Sequence, residues 1–278
     1  MAYKSILTIW DGRPESRPAL DLAMDMVKTA DGHLNVMCLG IDRVQPGLYY
    51  AGATPAIMSE NIETARDEAR DLEASAKHIL DGSDINWSCQ AMVAQISGIS
   101  HIVGQAARFN DLVILPQPYG NESSEEAAAV LEAAMFEGHA PVLVCPIKAH
   151  DAPGRKVVIA WNESSEAMAA IKAALPYISA AESVDIAVID PGRHDETQAD
   201  PGAELSKMLS RHGANVTVSV LARTVPRVAE VLQRHASDFD ADMIVMGAYG
   251  HSRFRESILG GATRDMLEDV TIPVLMAH

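Results

Sequence analysis

Positive charge is scarce in this chain. Of its 278 residues, 22 are Lys or Arg against 38 Asp or Glu, a formal net charge of −16. Both halves share the deficit, with 10 Lys+Arg against 20 Asp+Glu over residues 1–150 and 12 against 18 over residues 151–278. Such a surface repels nucleic acid and anionic lipid, so neither is an expected partner. Cysteine is scarce too. Cys38, Cys89 and Cys145 form no C-x-x-C pair, and each lies in an apolar strand-like run. They read as buried free thiols in a reducing compartment, not as a redox or metal motif. No apolar run approaches the roughly 18–20 residues that span a bilayer. The N-terminus enters Ile6–Trp10 without a basic leader, so a cytoplasmic location is expected. The ten histidines include no H-E-x-x-H pair, which leaves metal binding unsupported. Also missing are a G-x4-G-K-[ST] loop, a G-x-G-x-x-G turn and a G-x-S-x-G elbow.

What is present is a repeat. KSILTIWDGRPES at 4–16 returns as KVVIAWNESSEA at 156–167, NDLVILPQ at 110–117 as ADMIVMGA at 241–248, and GHAPVLVCP at 138–146 as VTIPVLMAH at 270–278. The order is the same in both halves, which indicates a duplicated domain. At 48% hydrophobic and 22% charged residues, each half can build its own core.

In the second half, strands are expected near 156–161, 184–190, 215–222, 243–246 and 274–277. Helices are expected near 164–178, 203–212, 225–237 and 261–268. The strands are short and apolar throughout, as parallel strands covered on both faces are. Alternation of β and α predicts an α/β fold of two tandem Rossmann-like domains, each a five-stranded parallel sheet with helices on both faces. The boundary falls where Ala-His-Asp-Ala-Pro-Gly breaks the periodicity, giving domains 1–149 and 153–278. In the first half, Met58, Ile62, Ala65, Ala69, Leu72, Ala76 and Ile79 repeat at 4-3-4-3-4-3 spacing. This is a long amphipathic helix whose stripe is expected to pack on the sheet. The corresponding stretch 191–202 reads as a polar loop.

GAYGHSRFRESILGGAT, residues 247–263, follows the predicted strand 243–246 and runs into the last helix. Ligands of parallel α/β sheets bind at the carboxyl ends of strands. Gly247 and Gly250 permit close backbone approach. Gly260, Gly261, Ala262 and Thr263 open a helix with free N–H groups, the usual phosphate cradle. Three arginines and one glutamate make this stretch, through Arg264, locally positive in an acidic protein.

The spacing Gly247-x2-Gly250-x9-Gly260, between a penultimate strand and a final I-P-V-L strand, resembles the nucleotide-binding motif of the universal stress protein family. The resemblance covers the whole chain as two copies. It implies that Gly247, Gly250 and Gly260, with the amides of Gly261, Ala262 and Thr263, cradle ATP phosphates. It also places His251 and Ser252 beside phosphate, Asn162 at the ribose and the backbone around Ile189 at adenine. Two departures stand out: Gly261 follows Gly260 where the family has Ser or Thr, displacing the hydroxyl to Thr263, and Asn162 replaces Asp. In the first half, Asp11-Gly12 is kept, but the later loop has a lone Gly120 and carries Glu122, Glu125 and Glu126. Carboxylates repel phosphate, so that site is expected to be degenerate, with Asp11 retained for structure.

The resemblance implies a stress-response regulator that binds ATP or another adenine nucleotide, with or without magnesium, in its second domain. It also implies intrachain domain pairing through the last strands and a homodimer. No general base is evident beside the loop, so efficient hydrolysis is not expected. One alternative is a nucleotide-independent interaction protein docking through the long helix. Another is an adenylating enzyme, which would need a glycine-rich or histidine-bearing turn where 161–165 reads Trp-Asn-Glu-Ser-Ser.

Overall fold

Five apolar runs in each half become strands: β1 (Ser5–Trp10), β2 (His33–Asp42), β3 (Asn86–Gln95), β4 (Leu112–Pro116) and β5 (Val142–Cys145), then β6 (Lys156–Ala160), β7 (Ser183–Ile189), β8 (Val216–Leu221), β9 (Met243–Gly247) and β10 (Val274–Ala277). The structure, a computed structural model, describes residues 3–43, 55–120, 123–148, 152–190, 201–250 and 261–278. Most of the stretch 191–202, expected to be a loop, therefore lies outside the described residues.

Contacts divide the chain into an N-terminal unit (Ala2–Pro116 with Glu122–Ala140) and a C-terminal unit (Gln117–Asn121 with Pro141–His278). The N-terminal unit carries the strand order β3-β2-β1-β4, all in parallel pairs. The C-terminal unit carries β5-β10-β9-β6-β7-β8. Its pairs are parallel except β5 with β10. The contact grouping thus takes β5, which sequence periodicity assigns to the first half, into the C-terminal unit's sheet. There it aligns Val144 with Val274 and Val142 with Met276.

In both units the chain winds outward from a central strand, then returns to that strand's other side, at β1/β4 and again at β6/β9. Such a reversal leaves a crevice at the carboxyl ends. The same side chain secures it in each repeat. Asp111, just before β4, accepts the Lys4 and Ser5 N–H groups at 2.7 and 3.0 Å. Asp242, just before β9, accepts those of Gly154, Lys156 and Arg155 at 2.8, 3.1 and 3.1 Å. Each carboxylate satisfies strand-entry donors that lack a ladder partner.

The helices are α1 (Arg17–Ala30), α2 (Pro55–Leu80), α3 (Ile99–Ala107), α4 (Ala127–Glu132), α5 (Ser165–Ala173), α6 (Leu175–Ile178), α7 (Ala203–Arg211), α8 (Val228–Asp238) and α9 (Ala262–Glu268). The amphipathic helix expected over 58–79 is α2, and its stripe does face the sheet: Ala65, Ala69 and Ala76 are fully buried and Ile62, Leu72 and Ile79 half-buried, with Leu80 beside them fully buried. Its small residues let the backbones come close. A side chain at Gly40 of β2 would run into the Ala65 carbonyl. The single helix expected over 164–178 is instead two. Pro176 has no N–H to continue the α5 ladder, and the turn restarts as α6 with the Tyr177 and Ile178 N–H groups both on the Ala174 carbonyl. Among the described residues no helix is long and apolar enough to cross a membrane.

Candidate functional site

At the carboxyl ends of β6, β7 and β9, the C-terminal unit opens a cleft of roughly 500 Å³, within the range that holds small-molecule ligands. Four segments distant in sequence meet there: Ala160–Asn162 at the end of β6, Ala187 and Ile189 of β7, Met246 and Gly247 at the end of β9 with Gly250 beyond it, and Gly261–Thr263 at the start of α9. Seven residues named from the sequence therefore share one cavity: Asn162, Ile189, Gly247, Gly250, Gly261, Ala262 and Thr263. His251, Ser252 and Gly260 lie outside the described residues.

The backbone around the cleft is held in uncommon conformations. Among the described residues, Glu163 (φ 63°), Asp190 (φ 45°) and Tyr249 (φ 56°) follow β6, β7 and β9 in the left-handed region. Side chains cost energy there, and such strain gathers at ligand sites. Gly247 has a packing reason to be glycine, since a Cβ would strike the Glu166–Ala167 backbone at the first turn of α5. Beyond it, the Tyr249 N–H donates to Thr263 Oγ1 at 3.1 Å, tying the glycine loop to α9. Thr263 is buried, and with its lone pair used this way its own proton remains available to donate.

The turn after β6 is set by its polar side chains. Asn162 Oδ1 accepts the Ser164 N–H at 3.2 Å, an Asx turn in which Nδ2 makes no hydrogen bond among the described residues. Ser164 is the N-cap of α5, accepting the Ala167 N–H at 3.1 Å, which accounts for it without a nucleophilic role. Asp11 makes the matching turn in the first repeat, accepting the Arg13 N–H at 3.1 Å. Near Gly250 stands the Glu166 carboxylate: a Cβ on Gly250 would lie 3.2 Å from Glu166 Oε2. Its own backbone N–H, with the Ser165 and Ser164 hydroxyls, holds this carboxyl below the usual range and therefore ionised.

Trp161 and Arg223 also line the cleft, together with Val228 and Leu232 of α8. Trp161 follows β6 as Trp10 ends β1 in the other unit, while Arg223 reaches the cleft from beyond β8. Arg227 turns away from the cleft, toward Glu268 (3.6 Å) and Asp265 (4.0 Å) of α9.

The N-terminal unit's crevice, at the ends of β1, β2 and β4, is smaller, roughly 230 Å³, with Trp10 and Asp11 at its wall. Charge already fills its polar end. Arg43 binds Glu126, the N-cap of α4, at 2.8 Å, and Glu68 of α2 at 3.4 Å. Burial works against the Arg43 charge, yet the two carboxylates outweigh it and hold the guanidinium above its ordinary pKa. A carboxylate standing at a helix start repels a phosphate there, and its ion pair with Arg43 engages that cation.

A second polar cluster lies inside the C-terminal unit. Asp185 of β7, 2% exposed, accepts Thr217 Oγ1 at 2.6 Å and Ser219 Oγ at 3.0 Å, and pairs with His235 Nε2 of α8 at 2.7 Å. The signal available in the sequence was a carboxylate within the apolar run Ser-Val-Asp-Ile-Ala-Val-Ile. All of these bonds converge on Asp185, so no hydroxyl–imidazole pair forms and the cluster is structural, joining α8 to the sheet.

Comparison with known proteins agrees with this architecture. Along 98% of its length the chain superposes on 95% of a universal stress protein from Archaeoglobus fulgidus, with a TM-score of 0.70 at 15% identity. It also superposes along 99% of its length on 92% of a functionally unknown protein from Pseudomonas aeruginosa, with a TM-score of 0.58 at 17% identity. In sequence, 85 residues are 34% identical to a universal stress protein of Synechocystis sp., a match covering 29% of this chain and only 29% of that relative's length. Residues 118–278 match the universal stress protein family as a whole. That match takes in more than half of the chain, including both cleft-forming glycine segments, and the chain belongs to the universal stress protein family.

Proposed function

We propose that this universal stress protein is a regulatory, stress-response protein that binds ATP or another adenine nucleotide in a domain spanning residues 153–278. On this reading the domain of residues 1–149 keeps the fold without a working phosphate cradle. The supporting observation is the C-terminal cleft: glycine segments distant in sequence converge with Asn162 and Ile189 at a sheet switch point, on a backbone held in strained conformations.

Each group then has a task. The Gly261–Thr263 amides and the Thr263 hydroxyl donate to phosphate. Arg223 supplies positive charge among the described lining residues, and the Trp161 ring offers an aromatic face to a base. Asn162 donates through Nδ2 to a sugar hydroxyl, because its oxygen is committed to the turn. The ionised Glu166 beside Gly250 repels a bare phosphate, which favours a nucleotide carried with a magnesium ion. Bound magnesium would screen phosphate charge there. The expected role is binding, not turnover. The alternative of docking through α2 is disfavoured, since Ala65, Ala69 and Ala76 of its stripe are already buried on its own sheet.

Calorimetry with ATP and magnesium on the full chain and on Gly250→Asp provides the test. Saturable binding by the wild type and none by the variant supports the proposal. Equal binding by both, or none by the wild type, removes it.

A further inference from the structure

Cys38 and Cys89, 51 residues apart in sequence, bring their sulfurs to 3.6 Å of each other. The parallel register of β2 and β3 is responsible. It pairs Cys38 with Ala91 and Val36 with Cys89, which sets the two thiols diagonally on one face of neighbouring strands. Above them runs α2: the Cys89 sulfur is 4.0 Å from the Glu73 carbonyl, and the Glu73–Lys77 ion pair spans the next turn at 3.1 Å. The two cysteines differ in access. Cys38 is fully buried, whereas Cys89 is partly exposed on β3, the end strand of the unit's sheet.

We propose that Cys38 and Cys89 form a dithiol site that a hydroperoxide converts into a reversible intramolecular disulfide. Cys89 is the attacking thiol. Its thiolate attacks the outer peroxide oxygen, the O–O bond breaks, and Cys89 becomes a sulfenic acid. The departing hydroxide or alkoxide takes a proton and leaves as water or an alcohol. The Cys38 sulfur then attacks the sulfenic sulfur, an S–S bond forms, the S–O bond breaks, and the hydroxide leaves as water with the Cys38 thiol proton. In sum, two thiols lose two electrons and two protons while ROOH becomes ROH and water. Side-chain rotation and a small shift of the end strand close the gap to the S–S bond length of about 2.05 Å.

The surroundings divide the roles in the same way. The Cys38 S–H hydrogen bond lowers the Cys89 pKa, aided by Lys77, and outweighs the opposing effects of burial and Glu73. That shared bond, with burial, raises Cys38. The more exposed sulfur is therefore also the readier thiolate, as an attacking cysteine requires. Cys145, buried in β5, serves as an internal reference thiol.

The test uses the reduced full-length protein, treated with hydrogen peroxide, denatured and alkylated, followed by intact mass and non-reducing peptide mapping. The expected result is a fall from three alkylatable thiols to one, at Cys145, with a Cys38–Cys89 cross-linked peptide and full recovery in dithiothreitol. In Cys38→Ser, Cys89 is expected to stop at the sulfenic acid and be trapped by dimedone; Cys38→Ala replaces this variant if it fails to fold. Three persistent thiols would overturn the proposal. So would over-oxidised Cys89 without a cross-link, or a disulfide joining two chains.

Discussion

Asp185 sits in the middle of a buried strand, where an unpaired carboxylate is not tolerated, and two hydroxyls and an imidazole compensate it. Removing this carboxylate takes the acceptor from the Ser219 hydroxyl and the His235 ring and costs about 1–3 kcal/mol per group left unsatisfied. Asp185→Ala is accordingly expected to lower stability by that amount in urea unfolding of the full chain, and a loss under about 1 kcal/mol would contradict the role given to it. Glu166 predicts a pH effect. Its folded-state pKa lies below its ordinary value of 4.5, so ionised Glu166 stabilises the fold fully above that pH. The contribution fades as pH falls through the lower, folded-state value. Thermal melting of wild type and Glu166→Gln should therefore differ above pH 4.5 and converge on acidification. Divergence on acidification would reverse the sign and refute the assignment.

Elements dock here by small residues as much as by large ones. Ala65, Ala69 and Ala76 bring α2 down on β2 until Gly40 meets the Ala65 carbonyl. Gly40→Ala forces that interface apart, with an expected loss of about 1–3 kcal/mol as for other overpacked cores. Hydrogen exchange should accelerate first in α2, and uniform acceleration across the chain would argue against a local cause. The same element shows why the helix was legible: its apolar spacing is a property of the local chain. The break at Ala174 was missed, since the apolar period runs on through it, although Pro176 cannot continue a helix ladder. Arg223 stood near a strand end in the sequence, but its place at the cleft wall depends on β8 pairing with β7.

At the scale of the whole molecule, the two units hold crevices of different make. One is large, with glycine loops and Arg223 at its wall; the other is small, with Arg43 locked between Glu126 and Glu68. The expected stoichiometry is one nucleotide per chain, read by calorimetry or by equilibrium dialysis with labelled ATP. Two equivalent sites would show that the Arg43 network yields to phosphate. Arg43→Ala should leave binding in the C-terminal cleft unchanged, whereas Arg223→Ala should weaken it by about tenfold, the effect of losing one charge-assisted hydrogen bond of about 1.5 kcal/mol.

By itself the sequence determined the duplicated α/β plan, the buried stripe of α2, the Ser164 cap and the glycine segments of the cleft. Each of these rests on periodicity, on turn chemistry or on repetition between halves, which are readable along the chain. Only the tertiary structure decided what strand order and register bring together. It turned β5 antiparallel onto β10, gathered Trp161 and Arg223 into one cavity, and gave Asp185 its three partners. It also set Cys38 beside Cys89 in a chain whose cysteine spacing suggested three unrelated thiols. The reason is the same in each case: pairing between strands joins residues across dozens of intervening positions, and local pattern carries no record of which strand will be the neighbour.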